Sequence, residues 1–323
     1  MTVKTIPIVL LGLVLAFPAL AVQGASEGLL LWYQTVLPAL APFLILTQLL
    51  TVSGGAGLLV KPVYPLVSRL SASGTYILLC GLLCGYPLGA KLCGDYFRQG
   101  KISQKEAQYL LAFCCHPSPM FLLGYVRQQL PVGINSGLLL LSVCLPVPLL
   151  SFLAQKLYQP QTGGQRTSSP VRLETAPVCL ESILLSSAET MVLIGGCMMM
   201  FSIFALWIRQ LSILPVRLQA LVAGAVEMTT GIHQISTVFP KYTAVAPALS
   251  AAAFGGISGI FQTKSVLSDS LIQEKHSQEG LPVTSKNAGG LSIRHYVLWK
   301  LIHAGLTCIA AQLLIHLMQP LGL

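Results

Sequence analysis

The sequence predicts an all-α polytopic membrane protein with about seven spanning helices, two re-entrant or broken segments and inverted repeats. Three observations support this fold class: 54% of the 323 residues are hydrophobic, only 9% are charged, and the mean hydropathy is +0.74. Soluble domains carry about 25% charged residues, so this chain lacks the charge needed to solvate a water-exposed surface. Its predicted partner is therefore the lipid bilayer.

The first 28 residues are predicted to form an N-terminal helix. A basic residue, Lys4, precedes an apolar run from Ile6 to Val22 that contains Ala-Leu-Ala at 19–21, as in a cleavable signal peptide. The run is near spanning length and a second apolar segment follows at once, which favours an uncleaved signal anchor over a cleaved leader.

Further apolar segments approach the length of about 20 residues that a spanning helix needs. They lie at 29–53, 74–90, 107–126, 134–155, 178–208, 216–239, 243–262 and 294–318. Polar residues at 159–175 predict a linker, and those at 264–292 predict a polar loop. The linker divides the chain into a first membrane repeat, 29–158, and a second membrane repeat, 176–323.

Loop charges predict that the segment 74–90 enters the membrane and returns to the same side. Loops rich in Lys and Arg favour the cytoplasmic face, and basic loops flank this segment on both sides. Their basic residues are Lys61, Arg69, Lys91, Arg98, Lys101 and Lys105. The octet "CGYPLGAK" (84–91) supplies the glycines and the proline that a turn requires, so we expect the tip or exit of a re-entrant hairpin there.

The same charge count gives each half three spans and one broken segment, in opposite orientations. The basic loop 264–292 must share a face with the linker, so only one of 216–239 and 243–262 crosses fully. Inverted-topology repeats of this kind are typical of transporters, although Arg209 and Arg217 on the outer side count against the assignment. We predict that the second broken segment is "VEMTTGIH" (226–233), interrupted at Gly231.

Ionisable and polar residues inside apolar segments are the candidate functional residues. A carboxylate in lipid costs several kcal/mol unless it is paired or hydrated, so Glu189 and Glu227 are candidates to bind a cation, a proton or a solute. A structural ion pair or an interfacial position is the alternative for both, as snorkelling is for Lys91 and helix–helix hydrogen bonding is for Gln262. The predicted substrate pathway comprises Gly85, Tyr86, Pro87, Gly89, Lys91, Glu189, Glu227, Thr230 and Gln262.

The sequence contains no motif that predicts catalysis, a cofactor or a metal site. A P-loop, a dinucleotide fingerprint, Gly-x-Ser-x-Gly and His-Glu-x-x-His are all missing from it, so no ATP-driven pump or enzyme is predicted. Most of the nine cysteines lie in apolar runs, where a thiol behaves as a small hydrophobic group. The formal net charge of +9 resides in short loops without interleaved aromatic residues, which argues against nucleic acid as a partner.

Four sequence blocks resemble the YlbJ-type sporulation integral membrane proteins. The most specific is "CGLLCGYPLGAKLCGDYFRQGKISQKEAQYLLAFCCHPSPMFLLG" (80–124), with its Gly-Tyr-Pro-x-Gly-Ala-Lys core. "SAETMVLIGGCMMMFSIF" (187–204), "EMTTG" (227–231) and "AFGGISGIFQTKSVL" (253–267) follow in the order of that family. The family is part of the nucleoside-recognition or Gate-domain group. Where its pattern commonly has an amide, this chain has His116 and Thr230.

The resemblance implies a transporter-like protein in the plasma membrane of an endospore-forming bacterium, in the mother-cell or forespore membrane. It also implies a role in forming the spore envelope or cortex, with an unidentified small polar or anionic solute as the bound or transported molecule. The alternative is a non-transporting assembly or scaffold protein of sporulation, with other spore membrane proteins as partners. A polar path through both halves would separate the first function from the second.

Overall fold

Helices form every regular element in the part of the chain that the computed structural model describes. That part comprises residues 5–65, 67, 70–160, 179–277 and 291–318, with the side chains of Ile6, Met318 and residues 268–277 left out. Five of its helical stretches are long and apolar enough to cross a membrane: Pro18–Val52, Ser136–Tyr158, Leu180–Arg209, Lys241–Leu267 and Ile293–Leu317. The predicted class, an all-α polytopic membrane protein, is confirmed.

In the described residues of the first half there are eleven α-helices and two π-helical turns. The helices are α1 (Thr5–Ala16), α2 (Pro18–Leu31), α3 (Leu37–Val52), α4 (Ala56–Val63), α5 (Ala72–Cys84), α6 (Leu88–Arg98), α7 (Gln104–Leu111), α8 (Pro119–Phe121), α9 (Arg127–Gln129), α10 (Ser136–Cys144) and α11 (Pro146–Tyr158). The π-helical turn Trp32–Val36 joins α2 to α3, and Leu122–Val126 joins α8 to α9. Residues 112–118 between α7 and α8 are not helical, so 104–129 is one interrupted helix.

The second half has fewer and longer helices. They are α12 (Leu180–Arg209), α13 (Val216–Val226), α14 (Met228–Val238), α15 (Val245–Phe254), α16 (Gly256–Ser277) and α17 (Ile293–Met318), with a 3₁₀ turn at Lys241–Ala244. Gly255 and Gly256 adopt positive φ angles of 83° and 71° and interrupt the path from α15 to α16.

Two helical hairpins reverse the chain inside the bundle. A Cβ placed on Gly89 would lie 3.2 Å from the Cα of Gly81, whereas eight residues of continuous helix would separate them by about 12 Å. A Cβ on Gly231 would lie 2.0 Å from the Cα of Gly224, against about 10 Å along a helix. Helices α5 and α6 therefore form a first hairpin, turning within the predicted octet, and α13 and α14 form a second.

The bases of the two hairpins lie at opposite ends of the bundle. Glu106, in the first turn of the interrupted helix 104–129, accepts a 2.7 Å hydrogen bond from the backbone N–H of Ser71 at the base of the first hairpin. Gln129, at the far end of that interrupted helix, is hydrogen-bonded at 2.8 Å to His233, on the limb of the second hairpin that leads away from its tip. We call these the Lys101 end and the Arg209 end. A span, a hairpin, an interrupted helix and a last span follow one another in both halves.

Helix boundaries differ from the sequence prediction at three places. The predicted N-terminal helix does not end at residue 28, because α2 continues to Leu31. Gly24 and Gly28 in α2 pack directly on α12. Helix α16 extends to Ser277, well into the predicted loop 264–292. The second hairpin turns at Glu227 and not at Gly231, which serves as the close contact between the limbs. Of the predicted linker 159–175, residues 161–175 lie outside the described residues.

Candidate functional site

A cavity lies where the two hairpin tips meet the interrupted helices. Its water-accessible volume of about 50 Å³ is enough for a few water molecules. The wall is mainly apolar, with contributions from both halves of the chain, and none of the described Lys or Arg residues lines it. Its polar and tip residues are Tyr86, Pro87, Ser118, Glu227, Gly255 and Gln262.

The tip of the first hairpin packs tightly on the interruption in 104–129. Gly85 has a φ angle of +78°, and a Cβ on it would lie 2.6 Å from the carbonyl oxygen of His116. A Cβ on Gly89 would lie 2.7 Å from the carbonyl oxygen of Cys114. The peptide bond between Tyr86 and Pro87 is cis, and the N–H of Tyr86 donates to the carbonyl oxygen of His116 at 3.3 Å. Glycine is required at 85 and 89 because backbone atoms occupy the space of a side chain.

Tyr86 connects this tip to the interrupted helix of the second half. Its hydroxyl donates to the carbonyl oxygen of Ala252 at 3.0 Å and also contacts the sulfur of Met228. Ala252 lies in the last turn of α15, where carbonyl groups lose their intrahelical partners because the helix stops before Gly255. The tyrosine therefore satisfies a backbone group that the helix break has freed.

Lys300 makes the reciprocal connection from the second half to the first. Its ammonium group donates to the carbonyl oxygen of Cys115, in the non-helical interval 112–118, at 2.9 Å. It also lies 4.5 Å from the centroid of the Tyr86 ring, within the range of a cation–π contact. Lys300 is only 3% exposed. Lys300 lies near the start of the predicted apolar segment 294–318, and nothing in its local sequence separates a snorkelling lysine from a buried one.

Two histidines, His116 and His303, lie near the contact between Lys300 and Cys115. His116 is buried, its Nδ1 is 2.9 Å from the carbonyl oxygen of Pro117, and its Nε2 has no hydrogen-bond partner among the described residues. The His303 ring lies 6.4 Å from that of His116, and its Nε2 donates to Val143 O at 3.0 Å. In the described part of the chain, no group of three or more His, Cys, Asp or Glu side chains could hold a metal ion.

Glu227 forms the tip of the second hairpin. Its backbone is extended between α13 and α14, and its side chain caps α14. One carboxylate oxygen, Oε2, accepts hydrogen bonds from the Thr230 N–H at 2.7 Å and the Thr229 hydroxyl at 2.5 Å. The other oxygen, Oε1, accepts no hydrogen bond from the described residues, although the side chain is only 1% exposed and lines the cavity. Glu227 therefore presents an unused acceptor to the cavity.

The structure brings only some of the predicted pathway residues to the cavity. Tyr86, Pro87, Glu227 and Gln262 line it, and the amide of Gln262 donates to the hydroxyl of Ser258 at 3.1 Å. Ser118, which is not among the residues predicted from the sequence, also lines the cavity. Its position inside the family-like block "FCCHPSP" was the available signal.

The other predicted residues serve different contacts. Lys91 forms an ion pair with Asp95, one turn along α6, at 3.4 Å. Glu189 lies on the exposed face of α12, and neither residue lines the cavity. Thr230 is buried against Ser202, with 3.2 Å between the hydroxyl oxygens, and supports the second hairpin from behind. Gly85 and Gly89 shape the tip of the first hairpin without lining the cavity.

Comparison with known proteins gives one informative match. The chain is similar to the sporulation integral membrane protein YlbJ of Bacillus subtilis strain 168. The two are 27% identical over an alignment of 217 residues, and the match covers 59% of this chain. The matched region covers 52% of the relative, so the chain spans about half the length of that protein. No family model matches the chain, and no solved structure matches it.

Proposed function

We propose that this protein binds a small polar solute in the central cavity and transports it across a membrane of a sporulating bacterium. The observation that carries this proposal is the open Oε1 of Glu227, placed among helix breaks to which both halves contribute. Non-helical backbone at membrane depth is tolerated where it is buried in protein or lines a water-filled cavity. In secondary transporters, discontinuous helices of two inverted repeats form the substrate site.

The cavity wall favours a solute that donates hydrogen bonds. Glu227 supplies an acceptor and negative charge, and no basic side chain among the described residues lines the cavity. An anionic solute would meet that carboxylate without a compensating positive group, which is costly in a site of low dielectric constant. Of the polar and anionic solutes predicted from sequence, we therefore favour a neutral or cationic one that bears hydroxyl or amine groups. Nucleosides have this chemistry, and the sequence resemblance to the nucleoside-recognition group implies such a solute, but His116 and Thr230 replace amides that are common in that pattern.

The proposed link to sporulation is based on the name of the similar protein, which is a sporulation integral membrane protein. The assembly or scaffold function remains the alternative, and the small volume of the central cavity favours it, since drug-sized ligands occupy pockets of about 300 Å³ or more. A transporter needs its hairpins to move apart to admit a solute of that size, whereas a scaffold does not.

Solute exchange in proteoliposomes tests the proposal. Vesicles loaded with unlabelled uridine, adenosine or N-acetylglucosamine would be mixed with the labelled compound. Wild-type protein should accelerate exchange of at least one of them, and Glu227→Gln should remove that exchange. Glu189→Gln, which neutralises a carboxylate outside the cavity, is the matched control and should exchange normally. Two results together would favour the scaffold function. Wild-type protein in vesicles would exchange none of the three compounds, and cells that carry Glu227→Gln would still sporulate.

A further inference from the structure

A second cavity lies at the Arg209 end, between the end of α12 and the base of the second hairpin. Its water-accessible volume is about 280 Å³, and it shares no residue with the central cavity. Apolar atoms make up most of its exposed wall, but five of its eight lining residues carry a polar side chain. The polar residues that line it are Arg209, Gln219, His233, Gln234 and Thr237.

Hydrogen bonds hold one part of this wall in place and leave another part without partners. The amide nitrogen of Gln219 donates to Leu211 O at 2.7 Å and to Leu214 O at 2.8 Å, which fixes the turn between α12 and α13. The side chain of Gln234 is 5% exposed, and its amide nitrogen has no hydrogen-bond partner in the described part of the chain. A buried amide without a partner is costly, so a ligand that accepted a hydrogen bond from this nitrogen would relieve that cost.

Arg209 supplies charge at the mouth of the cavity. Its guanidinium group is exposed and makes no ion pair or hydrogen bond within the described residues. The turns at this end, 127–135, 209–217 and 238–244, contain no Asp or Glu. They do contain four basic residues: Arg127, Arg209, Arg217 and Lys241.

Topology alone does not account for these charges. The positive-inside rule concentrates Lys and Arg at one membrane face, and the Lys101 end already carries the basic loops on both sides of the first hairpin. A second basic face therefore calls for a local reason. Guanidinium groups bind phosphate oxygens through paired hydrogen bonds, which makes a phosphate group the anion that such a cavity suits best.

We propose that the cavity at the Arg209 end is a phosphate-binding site, separate from the central cavity. Arg209 provides the charge and paired donors, and the amide of Gln234 provides a further donor from the buried wall. The phosphate is carried either by a small soluble molecule or by the headgroup of a phospholipid at the membrane surface. Both sources present the same chemistry to Arg209.

Ligand titration of the full-length protein in a phosphate-free maltoside detergent tests the site. Inorganic phosphate and glycerol phosphate would be added while tryptophan fluorescence is recorded, because Trp207 lies two residues before Arg209. Native mass spectrometry would measure retained phosphatidylglycerol in the same preparations. Arg209→Gln should raise the Kd, or reduce the retained lipid, by about tenfold, since a charge-assisted contact is lost. The matched control is Arg217→Gln, whose guanidinium lies 5.7 Å from the Phe239 ring and does not line the cavity.

Each outcome has a defined meaning. Loss of soluble phosphate binding in Arg209→Gln alone supports the site with a small-molecule ligand. Loss of phosphatidylglycerol alone, without soluble binding in the wild type, supports the site with a lipid headgroup. Equal losses in both variants would show only a diffuse positive surface and overturn the proposal, as would a wild-type protein that binds neither probe. The result is independent of whether the central cavity transports a solute.

Discussion

The hydroxyl of Tyr86 donates to the carbonyl oxygen of Ala252 at 3.0 Å, while the ammonium group of Lys300 donates to that of Cys115 at 2.9 Å. Tyr86 belongs to the first half and donates to a backbone carbonyl at the helix break of the second half. Lys300 belongs to the second half and donates to a backbone carbonyl at the helix break of the first half. Helix breaks free backbone groups for which lipid offers no partner, so a broken helix in a membrane needs such side chains. Here each half provides them for the other, which ties the two halves together at the cavity.

Loss of the Tyr86 hydroxyl should destabilise the protein more than loss of a comparable tyrosine hydroxyl. Tyr86→Phe leaves the carbonyl of Ala252 buried and unsatisfied, at a cost of about 1–3 kcal/mol. The matched control is Tyr125→Phe. Tyr125 donates to Thr229 O at 2.7 Å, but that carbonyl lies within α14 and retains its helical partner. Thermal unfolding in detergent should show a clearly lower Tm for Tyr86→Phe than for Tyr125→Phe, and equal Tm values would contradict the reciprocal arrangement.

Alanine at Gly85 should impair folding of the first hairpin tip. The φ angle of +78° disfavours any residue with a Cβ, and the new methyl group would clash with the carbonyl of His116. With ψ at −161°, the backbone lies in a region that essentially only glycine occupies, which alone costs about 1–3 kcal/mol before the clash is counted. Gly305→Ala is the control, because a Cβ at Gly305 has no neighbour within 4 Å. Lower Tm and lower membrane abundance are expected for Gly85→Ala only; equal behaviour of the two variants would show that the tip adapts.

Much of the architecture could be predicted because membrane proteins expose simple signals. Apolar length gives the spans, and basic loops on both sides of 74–90 predicted a hairpin whose turn the structure places in the expected octet. The break at Glu227 was placed four residues late, because a glycine resembles a helix breaker and an extended carboxylate that caps the next helix does not. The burial of Lys300 could not be predicted, because it depends on where Cys115 and Tyr86 lie, and no local sequence pattern records those positions.

Glu227→Gln should preserve folding and remove solute binding. Glutamine retains an oxygen that can accept from the Thr230 N–H, so the cap of α14 persists, but the negative charge that faces the cavity is lost. Glu227→Ala removes the cap as well and should cost an additional 0.5–2 kcal/mol or so of stability. Membrane abundance by immunoblot and sporulation by heat-resistant spore counts would be measured together. The proposed site is wrong if Glu227→Gln is abundant and fully functional.

Tyr86 and Lys300 should be energetically coupled. A lysine nitrogen 4.5 Å from a ring centroid contributes about 0.5–2 kcal/mol through the cation–π contact, depending on desolvation. The unfolding free energies of Tyr86→Leu, Lys300→Met and the double variant would therefore deviate from additivity by about that amount. A cycle of Tyr86→Leu with Tyr158→Phe gives the baseline, because the Tyr158 hydroxyl is hydrogen-bonded to Trp299 and not to Tyr86. Additivity in both cycles would mean that Lys300 acts only through Cys115.

Both flanks of the first hairpin should be accessible from the same membrane face. Lys61 precedes the hairpin and Gln99 follows it, and both are exposed at positions suited to a reporter cysteine. Ser212, beside the end of α12, is exposed at the opposite end of the bundle.

In a cysteine-free background, Lys61→Cys and Gln99→Cys should react with an impermeant maleimide only after the membrane is opened, because basic loops face the cytoplasm. Ser212→Cys should react in intact cells. Labelling of Lys61→Cys and Gln99→Cys from opposite faces would mean that the segment crosses the membrane, and the two hairpins would then not be inverted counterparts.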